Sequence, residues 1–297
     1  MRFAASLAPP AYREWVHSPT HSSEPLRFFD NDAFEALTRT SWWVVPLVWV
    51  PVGISALATA TRRGAEATPF TRYDDATPTR CREEERIVPP LFGSDGSEDL
   101  FLLWSLRVSL LVAFALGVLS WSLLEYGFHR FVFHHVPRGR AGAQAHFLAH
   151  GCHHKAPTDT LRLTFPPAAA APAIGLARAA FFAGAELAFG ALGDARIQRA
   201  LARTGERDGI AATLAHVFAA FLFAGCLLGY VAYDCMHFAL HAADGATLRA
   251  VDRRLGTRLE RKKAAHLRHH FVDHARAFGI SSERWDRVMG TEHVGRA

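Results

Sequence analysis

Thirteen of the chain's 17 histidines fall in two windows, 129–154 and 237–274, where an even spread would place roughly four. Inside the windows the spacing is helical. In AHFLAHGCHH, His146, His150, His153 and His154 stand at i, i+4, i+7 and i+8, one face of a helix. In YDCMHFALH, Tyr233, His237 and His241 form a stripe at i, i+4 and i+8, with Asp234 beside it. In HLRHH, His266, His269 and His270 sit at i, i+3 and i+4, and His274 extends the same face. In HRFVFHH, His129 and His134 are five apart, about 140° round an ideal helix, so they can meet at one metal only if the helix ends or unwinds between them. His135 is no better placed, and His134 is preferred.

Imidazole is a neutral, borderline donor that suits iron, zinc and copper, three or four nitrogens to an ion. Ten facing histidines (129, 134, 150, 153, 154, 237, 241, 266, 269 and 270) are too many for one ion and about right for two. A pair of redox-active irons can split dioxygen, whereas zinc has no redox chemistry of its own. Few carboxylates accompany the histidines, which excludes the Glu-rich site of ferritin-like bundles. The competing reading is a set of interfacial histidines that solubilise or sense pH. His17, His21 and His293 lie in polar flanks, and His216 stands alone in an apolar run. His135, His146 and His274 border the clusters and are expected to support the site or face solvent.

The elements that must carry these residues are membrane helices. Half of the chain is hydrophobic, and four uneven runs hold most of that: 42–60, 100–124, 165–192 and 209–233. Each is long enough to cross a hydrocarbon core of about 30 Å, and no other part of the chain could cover four such runs in water. Four cysteines without regular spacing exclude a disulfide framework and a thiolate zinc module. Residues 1–41 hold no apolar stretch of signal length and read as a polar N-terminal tail before a membrane domain at 42–297. Segment 61–99 reads as a loop and 193–208 as a charged connector. Twelve Lys and Arg from residue 242 onward place that end in the cytoplasm, and four crossings then place the N-terminus there too. One histidine window follows the second span and the other follows the fourth. Even-numbered crossings return to one side, so both windows face one compartment and can form one cluster.

The motifs HRFVFHH, HFLAHGCHHKAPTDTLRLTFPP, GYVAYDCMHFALH, KKAAHLRHHF and FGISSERWDRVMGT, in that order, resemble the membrane fatty acid 2-hydroxylases of sphingolipid metabolism. These belong to the histidine-box hydroxylase superfamily. The resemblance runs from about residue 100 to 291. It implies an all-α integral membrane fold of four transmembrane helices with a cytosolic helical cap over a dimetal histidine site. It also implies residence in the endoplasmic reticulum membrane and O2-dependent hydroxylation of carbon 2 of long acyl chains, free or in ceramide. The ten histidines match the family's metal ligands, and Tyr233 and Asp234 match a Tyr-Asp pair beside the metals. Iron is expected for activity, with zinc able to occupy the same imidazoles. Many relatives carry a fused cytochrome b5 domain with an HPGG haem motif. Residues 1–41 have no such motif, so electrons are expected from a separate cytochrome b5 or equivalent donor.

In this reading the acyl carboxyl or amide end is fixed beside the metals and proximity sets regioselectivity. Asp234 would orient a ligand imidazole, and Tyr233 would lie near substrate or dioxygen. Lys155, Arg162, Lys262 and Lys263 are candidates to contact an acidic head group, or equally are charges that attract anionic lipid. No nucleic-acid partner is expected. Two rivals remain at this point: a sterol or alkyl-chain hydroxylase or desaturase with the same metals, and a zinc-handling membrane protein that is not an enzyme.

Overall fold

In a bilayer an apolar stretch must satisfy its own backbone groups, and a helix does so within itself. The computed structural model describes residues 6–20, 25–66, 100–136, 138–191 and 207–293, and no strand occurs among them. The expected loop 61–99 beyond residue 66 and nearly all of the connector 193–208 lie outside the described residues.

Two short helices come first, α1 (Pro9–Val16) and α2 (Asp32–Ala36). Four long ones carry the apolar runs: α3 (Val44–Glu66), α4 (Leu100–Gly127), α7 (Pro167–Ala191) and α8 (Arg207–Ala242). Between α4 and α7 lie α5 (Gly139–His146) and α6 (Cys152–Lys155). After α8 come α9 (Gly245–Leu255), α10 (Leu259–Phe271) and α11 (Arg284–Met289). The stretches Val44–Gly64, Leu106–Phe133, Pro167–Gly190 and Ala212–Ala242 are long and apolar enough to cross a membrane, which agrees with the four expected spans. The 36 residues of α8 run about 54 Å at ~1.5 Å each. That exceeds a hydrocarbon core of about 30 Å, so one unbroken helix can cross it and still present His237 and His241 at its end.

By internal contacts the chain divides into two units. One comprises Pro51–Val118 and Ala173–Leu228. Its core is Ala60, Leu110, Val217 and Ala220, with Ala185, Ala215 and Ala219 forming a second cluster. Here α4 and α8 touch backbone to backbone: a Cβ on Gly225 would collide with the Phe114 carbonyl oxygen, so only glycine permits the approach. The other unit comprises Met1–Val50, Leu119–Pro172 and Gly229–Ala297, and it holds all ten clustered histidines.

In that second unit the N-terminal segment is more than a polar tail. Tyr12 and Val16 of α1 are fully buried in a core with Phe28, Val136, Phe147 and Cys152. Asn31 caps α2 by accepting from the Ala33 and Phe34 amides. Glu35 and Arg162 form a buried ion pair at 2.6 Å. The same guanidinium also reaches the Leu26 and Thr38 carbonyls and Asp159, tying residues 26–38 to residues 159–162. Farther on, Asp252 near the end of α9 accepts the Leu259 and Glu260 amides and so caps α10, the helix that carries three of the histidines.

Candidate metal centre

Two groups of five imidazoles emerge where the helix ends meet. His129, His134, His150, His154 and His269 form the first; His153, His237, His241, His266 and His270 form the second. Within each group one ring nitrogen per residue lies within 4.8 Å of all the others. The inward atoms are Nε2. In the first group His129 faces His150 at 3.2 Å, and His134 faces His154 and His269 at 3.1 Å each. In the second, His237 faces His153 at 3.0 Å and His266 at 3.1 Å, while His241 and His270 face His266 at 2.7 and 3.1 Å. The groups adjoin: the His154 and His270 rings stack with centroids 4.4 Å apart.

Local backbone geometry explains the membership. From Phe128 to Phe133 the helix widens to a π turn, and the His134 amide donates to the His129 carbonyl, an i→i+5 bond of 3.1 Å. That widening brings two residues five apart to one face, which an ideal helix could not do, and the turn ends at His134. His135 stays exposed. A second π segment, Phe147–Gly151, shifts the register between His146 and His150. His146 thereby leaves the face it would share with His150, and its Nδ1 meets the Tyr12 hydroxyl at 2.8 Å. One turn of α6 then sends His153 to the second group and His154 to the first.

The outer side of three rings is held by backbone. His129 Nδ1 donates to the Phe278 carbonyl (2.5 Å), His269 Nδ1 to that of Arg276 (2.6 Å) and His237 Nδ1 to that of Leu163 (3.0 Å). A ring that donates from Nδ1 carries its lone pair on Nε2, aimed into the group. Burial, reinforced by the facing imidazoles, holds His134, His150, His153, His154, His266, His269 and His270 well below the ordinary imidazole value. Neutral imidazole is the form that binds a metal.

The donor set fits one ion per group. Five inward nitrogens cannot all be satisfied by N–H···N bonds among themselves, because each such bond pairs two. A cation accepts all five lone pairs at once. Metal–imidazole bonds of about 2.0–2.1 Å place opposite donors about 4 Å apart, less than an ångström inside the observed 4.8 Å spread. All ten donors are nitrogen, which suits iron, zinc or copper and not magnesium or calcium.

The other residues singled out from the sequence fall as follows. The Tyr233 ring lies parallel to that of His237 (5.9 Å, 5°) and against Trp121. Asp234 is buried; its Oδ1 takes the Phe165 amide at 3.4 Å, and its Oδ2 has no hydrogen-bond partner. Backbone carbonyls, not Asp234, therefore receive the ring protons of His129, His237 and His269. The four cations expected to reach a head group are committed inward. Lys155 Nζ donates to the Ser18 carbonyl, Lys262 to those of Ile280 and Ser281, Lys263 to that of Ala243, and Arg162 is paired as described. His17 leaves its expected polar flank to stack on His274 at 3.7 Å and edge against His154; burial lowers its pKa to about 4. His216 sits in the other unit, contacted by Arg63. Sequence reasoning passed over Glu125, a lone acid at the end of an apolar helix and one turn before His129, which is a recognisable signal. Its carboxylate accepts the Ile280 and Ser281 amides.

No family model matches the chain. Among proteins of known activity it is 33% identical over 280 residues to a dihydroceramide fatty acyl 2-hydroxylase of Arabidopsis thaliana, covering 94% of this chain and 85% of that one. It is 32% identical to the fatty acid 2-hydroxylase of Homo sapiens, again over 94% of this chain but 59% of the human protein. Among solved structures it superposes on that of full-length scs7p, of which only the hydroxylase domain is visible, with a TM-score of 0.62 and 27% identity. That match covers 99% of this chain and 83% of the other.

Proposed function

Because this chain belongs to the fatty acid 2-hydroxylases, we propose that it hydroxylates carbon 2 of a long acyl chain, free or within ceramide, using dioxygen at a pair of histidine-held metal ions. The observation that carries the reading is the division of ten imidazoles into two adjoining groups of five. The comparisons do not favour the sterol, desaturase or zinc-handling alternatives.

His129, His134, His150, His154 and His269 would hold one ion, and His153, His237, His241, His266 and His270 the other. An iron pair bound there supplies activation of dioxygen and removal of hydrogen from a C–H bond. The chain's own part is to keep the imidazoles neutral, aim their Nε2 lone pairs, and exclude water. Rings supply that exclusion. Phe133 stacks on His150, Phe165 on Phe133, and Tyr233 on His237, with Trp121 behind Tyr233. Tyr233 is placed to border the substrate or dioxygen. Asp234 fixes the backbone at Phe165, two residues from the Leu163 carbonyl that orients His237. Asp234→Asn and Tyr233→Phe should each lower turnover, and full turnover in both at unchanged metal content would remove these roles.

Electrons come in this reading from a separate cytochrome b5-type protein. The basic residues after 242 favour a cytoplasmic placement of both termini in the endoplasmic reticulum membrane. The test is lipid analysis by mass spectrometry in a host lacking 2-hydroxylase. The wild-type chain should restore 2-hydroxylated sphingolipids, and a His153→Ala/His154→Ala variant present at equal level should not. Restoration by both, or by neither, contradicts the proposal.

A further inference from the structure

The segment Arg276–Ser281 carries two of the carbonyls that receive imidazole protons, and it is fastened on both sides. Ala277 between those carbonyls has φ +57°, the left-handed region that strains a residue with a Cβ. Its amide donates to the Thr291 carbonyl at 2.7 Å. On one flank Asp286 accepts the Phe278 and Gly279 amides at 2.9 and 2.8 Å and the Thr291 hydroxyl at 2.7 Å. On the other, Glu125 at the end of α4 accepts the Ile280 and Ser281 amides. Both carboxylates are about 2% exposed. Gly279 lets the chain turn this tightly, since a Cβ there would collide with the Ser282 carbonyl oxygen and come within 2.8 Å of Asp286 Oδ2. The Phe278 ring stands edge-on to His129, His134 and His269. Every partner of this segment among the imidazoles belongs to the first group. In the second group the Nδ1 atoms of His153, His266 and His270 are buried with no hydrogen-bond partner, whereas in the first group this holds for His154 alone.

We propose that Glu125, Ala277 and Asp286 are positioning residues of one clamp that holds the His129 and His269 rings, so that retention of the first group's ion is set independently of the second's. The inference rests on the metal-centre reading above and adds which residues govern one ion and not the other. The strained residue stays left-handed because its own amide and the four that follow it are bound, and strain held in this way marks a position where geometry matters more than stability. Loss of an outer partner of a metal-bound imidazole commonly weakens the ion by roughly 10–100-fold.

The experiment measures release of metal from the purified full-length protein to a chelator, followed as equivalents per chain, alongside thermal melting. Wild type should begin with two equivalents; fewer would contradict the metal-centre reading itself. Glu125→Gln and Asp286→Asn should each release one equivalent roughly 10–100-fold faster and leave the other at the wild-type rate. Ala277→Gly tests the clamp without endangering the fold, since glycine adopts the same φ without strain. It should melt no lower than wild type yet release one equivalent several-fold faster. A purely structural role predicts the same melting with no change in release. If Ala277→Gly leaves both rates unchanged, or if the carboxylate variants accelerate both ions equally, the clamp is overturned.

Discussion

His150, His153, His154 and their neighbours are neutral in the fold and titrate as ordinary imidazoles once unfolded, which gives stability a definite pH slope. Below about 6.5 the unfolded chain binds protons that the folded one excludes, so stability falls as pH drops through that value. It goes on falling towards about 4, where His17 and His146 titrate in the fold. Metal-stripped protein should therefore melt at a lower temperature at pH 5 than at pH 8; an equal or higher value would contradict the burial of these rings. Arg162 makes a second prediction. Arg162→Ala removes the buried guanidinium shared by Glu35, Asp159 and the Leu26 and Thr38 carbonyls and leaves Glu35 with Arg39 at 2.9 Å as its one ion-pair partner, which should cost about 1–3 kcal/mol in denaturant unfolding. The ten clustered imidazoles were legible in the sequence, because residue type and helical spacing both survive in one dimension. The groups on their outer side were not, because they are carbonyls of Leu163, Arg276 and Phe278 and a carbonyl has no residue-type signature. The same blindness misplaced Lys155, Lys262 and Lys263, whose long stems end on backbone oxygens rather than at the surface.

At the scale of elements, the two π segments decide which histidine joins which group. The sequence showed that His129 and His134 conflict on an ideal helix; it could not show that the remedy is one i→i+5 turn. Helix α1 was less legible still. Tyr12, Trp15 and Val16 stand at helical spacing round Arg13 and Glu14, but so short a stripe does not show a docking site 134 residues away at His146. Tyr12→Phe should remove that contact and leave a buried imidazole nitrogen unpaired, at about 1–3 kcal/mol in chemical denaturation; no measurable loss would mean that α1 is not held there. The contact of α4 with α8 is a further element-level prediction. Gly225→Leu should sharply reduce the yield of folded, detergent-extracted protein, because the clash is with backbone and no side-chain rotation relieves it. Wild-type yield and melting would show that the two helices do not pass so closely.

For the whole molecule, the four apolar runs read from the sequence fall on four helices long and apolar enough to cross a membrane. The fourth proved longer than its apolar core, and that extension delivers His237 and His241 to the centre. The motifs that marked the family also acquire physical reasons. RLTFPP supplies the Leu163 carbonyl and the Phe165 amide, and FGISS with its following Trp-Asp supplies the segment fastened by Glu125 and Asp286. The central claim is that two ions, not one and not none, sit in two separable sets of imidazoles. Elemental analysis of purified protein tests it most directly. Wild type should carry two equivalents of iron or zinc per chain, and the pairs His129→Ala/His269→Ala and His237→Ala/His266→Ala should each carry one. A wild-type protein with a single equivalent, or a pair of substitutions in one group that empties both, would contradict the account.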